Sequence, residues 1–264
     1  MRPLGLLATL ILAAPATAAE TTYLLTVEHT DFSKSFGSRR EVGFEVASDL
    51  GSTTLVGTLA HGTRDFGTRS YSAINVQGKV YHDWTSKLSS RSAIAISSND
   101  PVFPSLDASH DFNLKIVPKA VATAGVRLAN YVDGGRARSV YLGGTYYFRG
   151  GLATYRFSAL RIDRHGRSSG HMLNLQIKDS TGMGLSQLWL GTGSSLQAFE
   201  LGLAPGEGRF NSVFARRVQP LAGSVALTAG IGAADYRTKV GNYHGYTGML
   251  GIQLLNRPKA RSKP

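Results

Sequence analysis

No cysteine occurs in the 264 residues, so neither disulfides nor thiolate metal ligands can hold this chain together. Acidic side chains are also scarce: 17 Asp and Glu stand against 29 Lys and Arg, a formal net charge of +12. The acids are not clustered and no His-x-x-x-His spacing occurs, so neither an oxygen cage for a divalent cation nor a histidine metal pair is expected, and no cofactor either. A catalytic elbow is missing too, since Gly184-Leu185-Ser186-Gln187-Leu188 lacks the second glycine of Gly-x-Ser-x-Gly. His82-Asp83 and His110-Asp111 are neighbours on extended segments, so their side chains point to opposite faces and cannot form a relay. The chain therefore reads as non-enzymatic. Beyond residue 20 there is no apolar run near the ~20 residues that a membrane-crossing helix needs.

The apolar stretch that does exist is at the start. Arg2 is followed by the run Leu4 to Ala14 and the small residues Pro15-Ala16-Thr17-Ala18-Ala19, the pattern of a cleavable secretion leader over residues 1–19. Its loss would remove one basic residue, leaving 28 against 17, or +11. The remaining basic residues are dispersed through a secreted chain, which argues against a nucleic-acid partner.

From Glu20 onward apolar side chains recur at every second position in runs of about ten residues, the period of strands with two unlike faces. Val42, Phe44 and Val46 alternate with Glu41, Gly43 and Glu45, and Leu173, Leu175 and Ile177 alternate with Met172, Asn174, Gln176 and Lys178. A soluble sandwich and a membrane barrel both produce this alternation. The barrel is favoured because charged residues such as Glu45, Arg127, Arg156 and Lys178 lie on the polar face, where small residues are also common. Aromatics gather near strand ends, as at Tyr146-Tyr147-Phe148 and at Tyr243 with Tyr246, where interfacial girdles belong.

Turn signals divide residues 20–255 into fourteen strands of an all-β, transmembrane, antiparallel up-and-down β-barrel, with twelve or sixteen as alternatives, followed by a basic tail over 256–264. Long connections are expected at 31–38, 62–68, 98–108, 132–137, 163–168, 192–207 and 236–242, and short ones at 49–51, 118, 150 and 219–221. The long ones belong outside the cell and the short ones in the periplasm.

The segments Val102-Phe103-Pro104, Asp111-Phe112, Ala124 to Tyr131, Gly143 to Gly151 and Tyr155-Arg156, with Tyr243-His244-Gly245 near the end, resemble the YaiO family of outer-membrane β-barrel proteins. The resemblance implies an outer-membrane location, insertion by the barrel assembly machinery and, for some members, an association with surface polysaccharide machinery. Some relatives carry a helical-repeat segment before the barrel, whereas strands follow the leader directly here.

Two functional expectations follow from charge. Lys34, Arg39, Arg40, Arg64, Arg69, Arg136, Arg138, Arg161, Arg164 and Arg167 lie near external strand ends, where the phosphates of outer-membrane lipid and lipopolysaccharide would be met. Lys79, Lys115, Arg127, Arg156 and Lys178 should point into the lumen with Glu41, Glu45, Asp83 and Asp111; Lys79, Arg127, Arg156 and Lys178 are the candidate binding cations. Mixed signs suit a filled interior, whereas surplus cations suit an anion-preferring pore. The leading expectation is a structural or accessory barrel of the surface glycan layer, with a narrow pore for small anions or polysaccharide, and a lipid-modifying enzyme, as alternatives.

Overall fold

A computed structural model describes residues 20–98, 102–131, 135–163, 166–180, 184–194, 208–238 and 241–256. The proposed leader, the basic tail, Arg164 and most of the 192–207 connection lie outside the described residues. Fourteen strands follow one another along the chain: β1 (Glu20–Phe32), β2 (Ser38–Asp49), β3 (Thr53–Asp65), β4 (Ser70–Asp83), β5 (Leu88–Ser97), β6 (Leu106–Val117), β7 (Ala120–Asn130), β8 (Arg136–Phe148), β9 (Gly151–Ile162), β10 (Gly166–Lys178), β11 (Leu185–Ser194), β12 (Arg209–Ala222), β13 (Val225–Thr238) and β14 (Gly241–Asn256). Each pairs antiparallel with its sequence neighbours, and β1 pairs with β14 from Thr21↔Asn256 to Phe32↔Gly245, closing the barrel so that no strand edge is left open.

The register holds one parity around the whole wall. Starting from the pair Glu45↔Thr58, successive partners carry the inward face through Gln77, Ala95, Asp107 and Ala129, and each strand alternates away from it. The outward face is apolar and open: Leu25, Val27, Leu59, Ile94, Val126, Val140, Leu142, Ile231 and Leu250 are all exposed. An apolar surface this extensive has no place in water, and it forms the band that meets lipid. Tyr146, Phe148 and Tyr246 belong to that outer face. Tyr243, expected beside Tyr246 in a girdle, instead points inward and is fully buried, because the odd spacing of three residues puts the two on opposite faces of the strand.

Two of the hairpins at the lower end, where β1 begins and β14 ends, are tight. Gly150 turns β8 into β9 at φ 81° and Gly223 turns β12 into β13 at φ 57°, conformations that a side chain would strain. The second turn lies beyond the expected 219–221, since β12 continues to Ala222 with a register shift between Pro220 and Ala222. A proline has no N–H to donate, and an irregularity near the strand end accommodates it. At the upper end the strands also run further than their alternation suggested, so the first two connections shrink to 33–37 and 66–69.

Candidate functional site in the barrel lumen

Alternation sends one set of polar residues inward, and the circular wall makes them face one another. On one side Lys79 Nζ lies 3.5 Å from Glu45 Oε2, to which Thr58 also donates a hydrogen bond at 3.3 Å. Next to them Asp111 bridges two guanidinium groups, Arg91 at 3.6 Å and Arg156 at 3.5 Å. The Asp111 side chain is only 4% exposed, and one carboxylate between two arginines leaves that cluster with surplus positive charge. Arg156 also stands over the Tyr141 ring at 4.3 Å. That ring lies flat across β7 because Gly125, its cross-strand partner, has no Cβ; one placed there would meet the ring at 2.5 Å.

Across the lumen Arg216 Nε donates to Gln187 Oε1 at 2.8 Å, with a second, shorter contact from Nη2. The guanidinium lies over Trp189, 5.3 Å from the centroid, and within coulombic reach of Glu45. Higher up, Arg127 is held by both oxygens of Asp107, each 3.0 Å from Nε. The inward strand positions bring together Arg39, Arg64, Lys79, Arg91, Arg127, Arg156 and Arg216 against Glu28, Glu41, Glu45, Asp107 and Asp111. Water reaches Lys79, Arg91 and Arg127, whose side chains are 21%, 31% and 48% exposed.

Of the sequence candidates, Lys79, Arg127 and Arg156 are thus lumenal and ion-paired. Lys178 has inward parity but is the last residue of β10, at the lower mouth and away from the charged belt. Arg91 and Arg216 were missed. Arg91 shares parity with Ser89 and Ala93, and Arg216 with Ser212 and Phe214, which could have revealed both.

The upper mouth narrows in two places. Tyr236 and Tyr243 stack at 4.7 Å and Phe36 stacks on Tyr243 at 4.2 Å, with Phe32, Phe66 and Phe210 packed around them. Arg64, 1% exposed, lies 4.3 Å from the centroids of both Phe32 and Phe66. It donates to the carbonyls of Phe36 at 2.8 Å, Ser38 at 2.8 Å and Asp65 at 2.9 Å. Arg64 and Arg39, expected among the external phosphate contacts, therefore serve the interior, because their strand parity is inward. The β5–β6 connection also turns into the lumen: Phe103 and Val102 reach Gly62 on β3, where a Cβ would meet them at 2.7 and 2.8 Å, and Arg39 lies 5.8 Å from the Phe103 centroid. Alternation is silent about such a loop.

On the outer wall, Ser92 Oγ and His110 Nδ1 are 2.8 Å apart, an aligned pair that the sequence could not reveal. The pair sits midway along β5 at hydrocarbon depth, against the Phe112 ring, and Asp111 points away into the lumen. A hydrolase needs an orienting acid and an ester within reach, and this position supplies neither. A groove of about 840 Å³ also opens on the outside, floored by Ala215, Ala229 and Gly248 between Leu175, Leu188, Ile231 and Leu250.

The model of the YaiO membrane β-barrel domain matches residues 20–199. The chain belongs to that family. Among solved structures it is similar to the CymD monoaromatic hydrocarbon channel, with TM-score 0.65 and 6% identity over 92% of this chain and 90% of that one. The Pseudomonas putida toluene transporter TodX follows at TM-score 0.54 and 8% identity, covering 91% and 89%. An anion-selective porin from Comamonas acidovorans matches at TM-score 0.50 and 10% identity, covering 90% and 99%. The identities make these likenesses of fold alone. The family, with the closed barrel and its apolar outer face, places the chain in the outer membrane.

Proposed function

We propose that this YaiO barrel is a narrow, anion-preferring passage for small solutes across the outer membrane, with no catalytic step of its own. The observation that carries the reading is the lumenal face, where Arg39, Arg64, Lys79, Arg91, Arg127, Arg156 and Arg216 outnumber Glu28, Glu41, Glu45, Asp107 and Asp111. Fixed charges in a confined, weakly screened passage act strongly on passing ions, and a cationic surplus favours anions. The names of CymD and TodX suggest hydrocarbon cargo, but a wall of ion pairs disfavours it here. The aromatic cluster and the inward β5–β6 loop argue for small conductance. Lys79, Arg127 and Arg156 keep their role as candidate selectivity cations, joined by Arg91 and Arg216; Lys178 acts at the lower mouth.

The test is single-channel recording in planar bilayers with a KCl gradient. Small steps with a reversal potential displaced toward that of chloride are expected. Asp111→Asn should raise the anion-to-cation permeability ratio about two- to fivefold, because it removes one negative charge a few ångströms from the path. Arg216→Gln should lower it. Large porin-like openings or cation preference would sink the reading, and a silent bilayer would return the barrel to a structural or accessory role in the surface glycan layer.

A further inference from the structure

The pairing that sets the lumen also sets a row of charges on the outside. Arg138 on β8 is directly opposite Arg161 on β9, and Arg161 is directly opposite Arg167 on β10. All three have outward parity at the upper ends of their strands, and Arg136 lies one outward position further up β8. Like charges placed directly across neighbouring strands repel. The one acid pairing with the row among the described residues is Asp163, 3.8 Å from Arg138, where both side chains are largely in water. Two strand spacings make the row about 10 Å wide. Val140 and Leu142 lie immediately below on β8 and Leu128 directly beside Arg138 on β7, all exposed outward-facing apolar residues.

A self-repelling row of guanidinium groups above a greasy wall matches a ligand carrying phosphates directly beside acyl chains. We propose that Arg138, Arg161 and Arg167 form a binding site for the phosphorylated headgroup of an outer-leaflet lipid whose chains run down the β8–β9 face. Guanidinium groups bind phosphate bidentately, so bound headgroup oxygens replace the counter-charge that the row lacks. The site is on the opposite face of the wall from the lumen and is independent of transport.

The full mature chain, refolded in detergent, tests this by native mass spectrometry with bisphosphorylated lipid A, the same lipid dephosphorylated, and inorganic phosphate as probes. The bisphosphorylated lipid should be retained about tenfold better than its dephosphorylated form, as expected for two or more charge-assisted contacts. The triple variant Arg138→Gln, Arg161→Gln, Arg167→Gln should lose that preference. A control triple at Lys87, Lys119 and Arg149, which removes the same charge from the connections at the lower end, should keep it. Without lipid, Arg161→Gln alone should raise the temperature at which the folded band converts to the unfolded one, because repulsion is relieved; lipid A should then raise it less than in the wild type. This single variant carries the test if the triple does not fold. Equal retention of the two lipids, or equal loss in both triples, would overturn the proposal. Displacement of the lipid by millimolar inorganic phosphate would assign the row to free phosphate and overturn the lipid assignment.

Discussion

Arg64 shows how much one side chain can organise at the upper mouth. It ties the 33–37 connection to the end of β3 by donating to the carbonyls of Phe36 and Asp65, and it fills the gap between two phenylalanine rings. Its partner loop contains consecutive non-glycine residues in the left-handed region, Lys34 at φ 56° and Ser35 at φ 62°, a conformation held against its own preference. Arg64→Ala removes those bonds and leaves buried carbonyls facing a void, which should cost about 2–4 kcal/mol. The check is the thermal midpoint of the folded band in detergent, together with faster proteolysis at residues 33–37. An unchanged midpoint and an uncut loop would mean that the aromatic stack alone holds the mouth. Nothing in the residue type announced this role, since an arginine beside a predicted loop reads as a solvated charge.

At the scale of the strand, β10 separates the two faces most cleanly. Leu173, near the middle of β10, faces lipid, while Gln176 faces the lumen beside Gln187. Leu173→Arg should destabilise the barrel by about 2–4 kcal/mol, the cost of a cation near the bilayer midplane, whereas Gln176→Arg should be nearly neutral. Unfolding from lipid vesicles by denaturant measures both, and equal costs would show that the two faces do not differ in polarity. Strand existence and facing were legible because period-2 alternation survives in every strand. Strand ends were less so: Pro220 reads as a turn but sits within β12, since pairing to β13 continues past it.

For the whole molecule, closure decides the behaviour. The pairing of β1 with β14 satisfies the last backbone edge, so unfolding must break a continuous ring of hydrogen bonds. Unheated samples should therefore migrate differently from boiled ones in detergent gels and should sediment with the outer membrane. A single band position at all temperatures would contradict a stable closed barrel. The large positive charge divides by side as well: part lines the lumen in pairs, and part rings the outer rim.

The sequence by itself determined the barrel class, the order of the hairpins and the side of the wall on which Lys79, Arg127, Arg156 and Asp111 fall, because these depend on local alternation and turn chemistry. Closure at fourteen strands, with twelve and sixteen left open by the sequence, was decided by the pairing of β1 with β14. It could not say which inward residues meet. Arg156 and Asp111 are separated by two intervening strands, and Arg216 faces Glu45 across the lumen; such encounters are set by how the sheet curves and closes. The inward turn of Val102 and Phe103 onto Gly62, and the row Arg138, Arg161 and Arg167, were likewise decided by tertiary structure. Loop packing and exact register are properties of the closed barrel, and no single strand contains them.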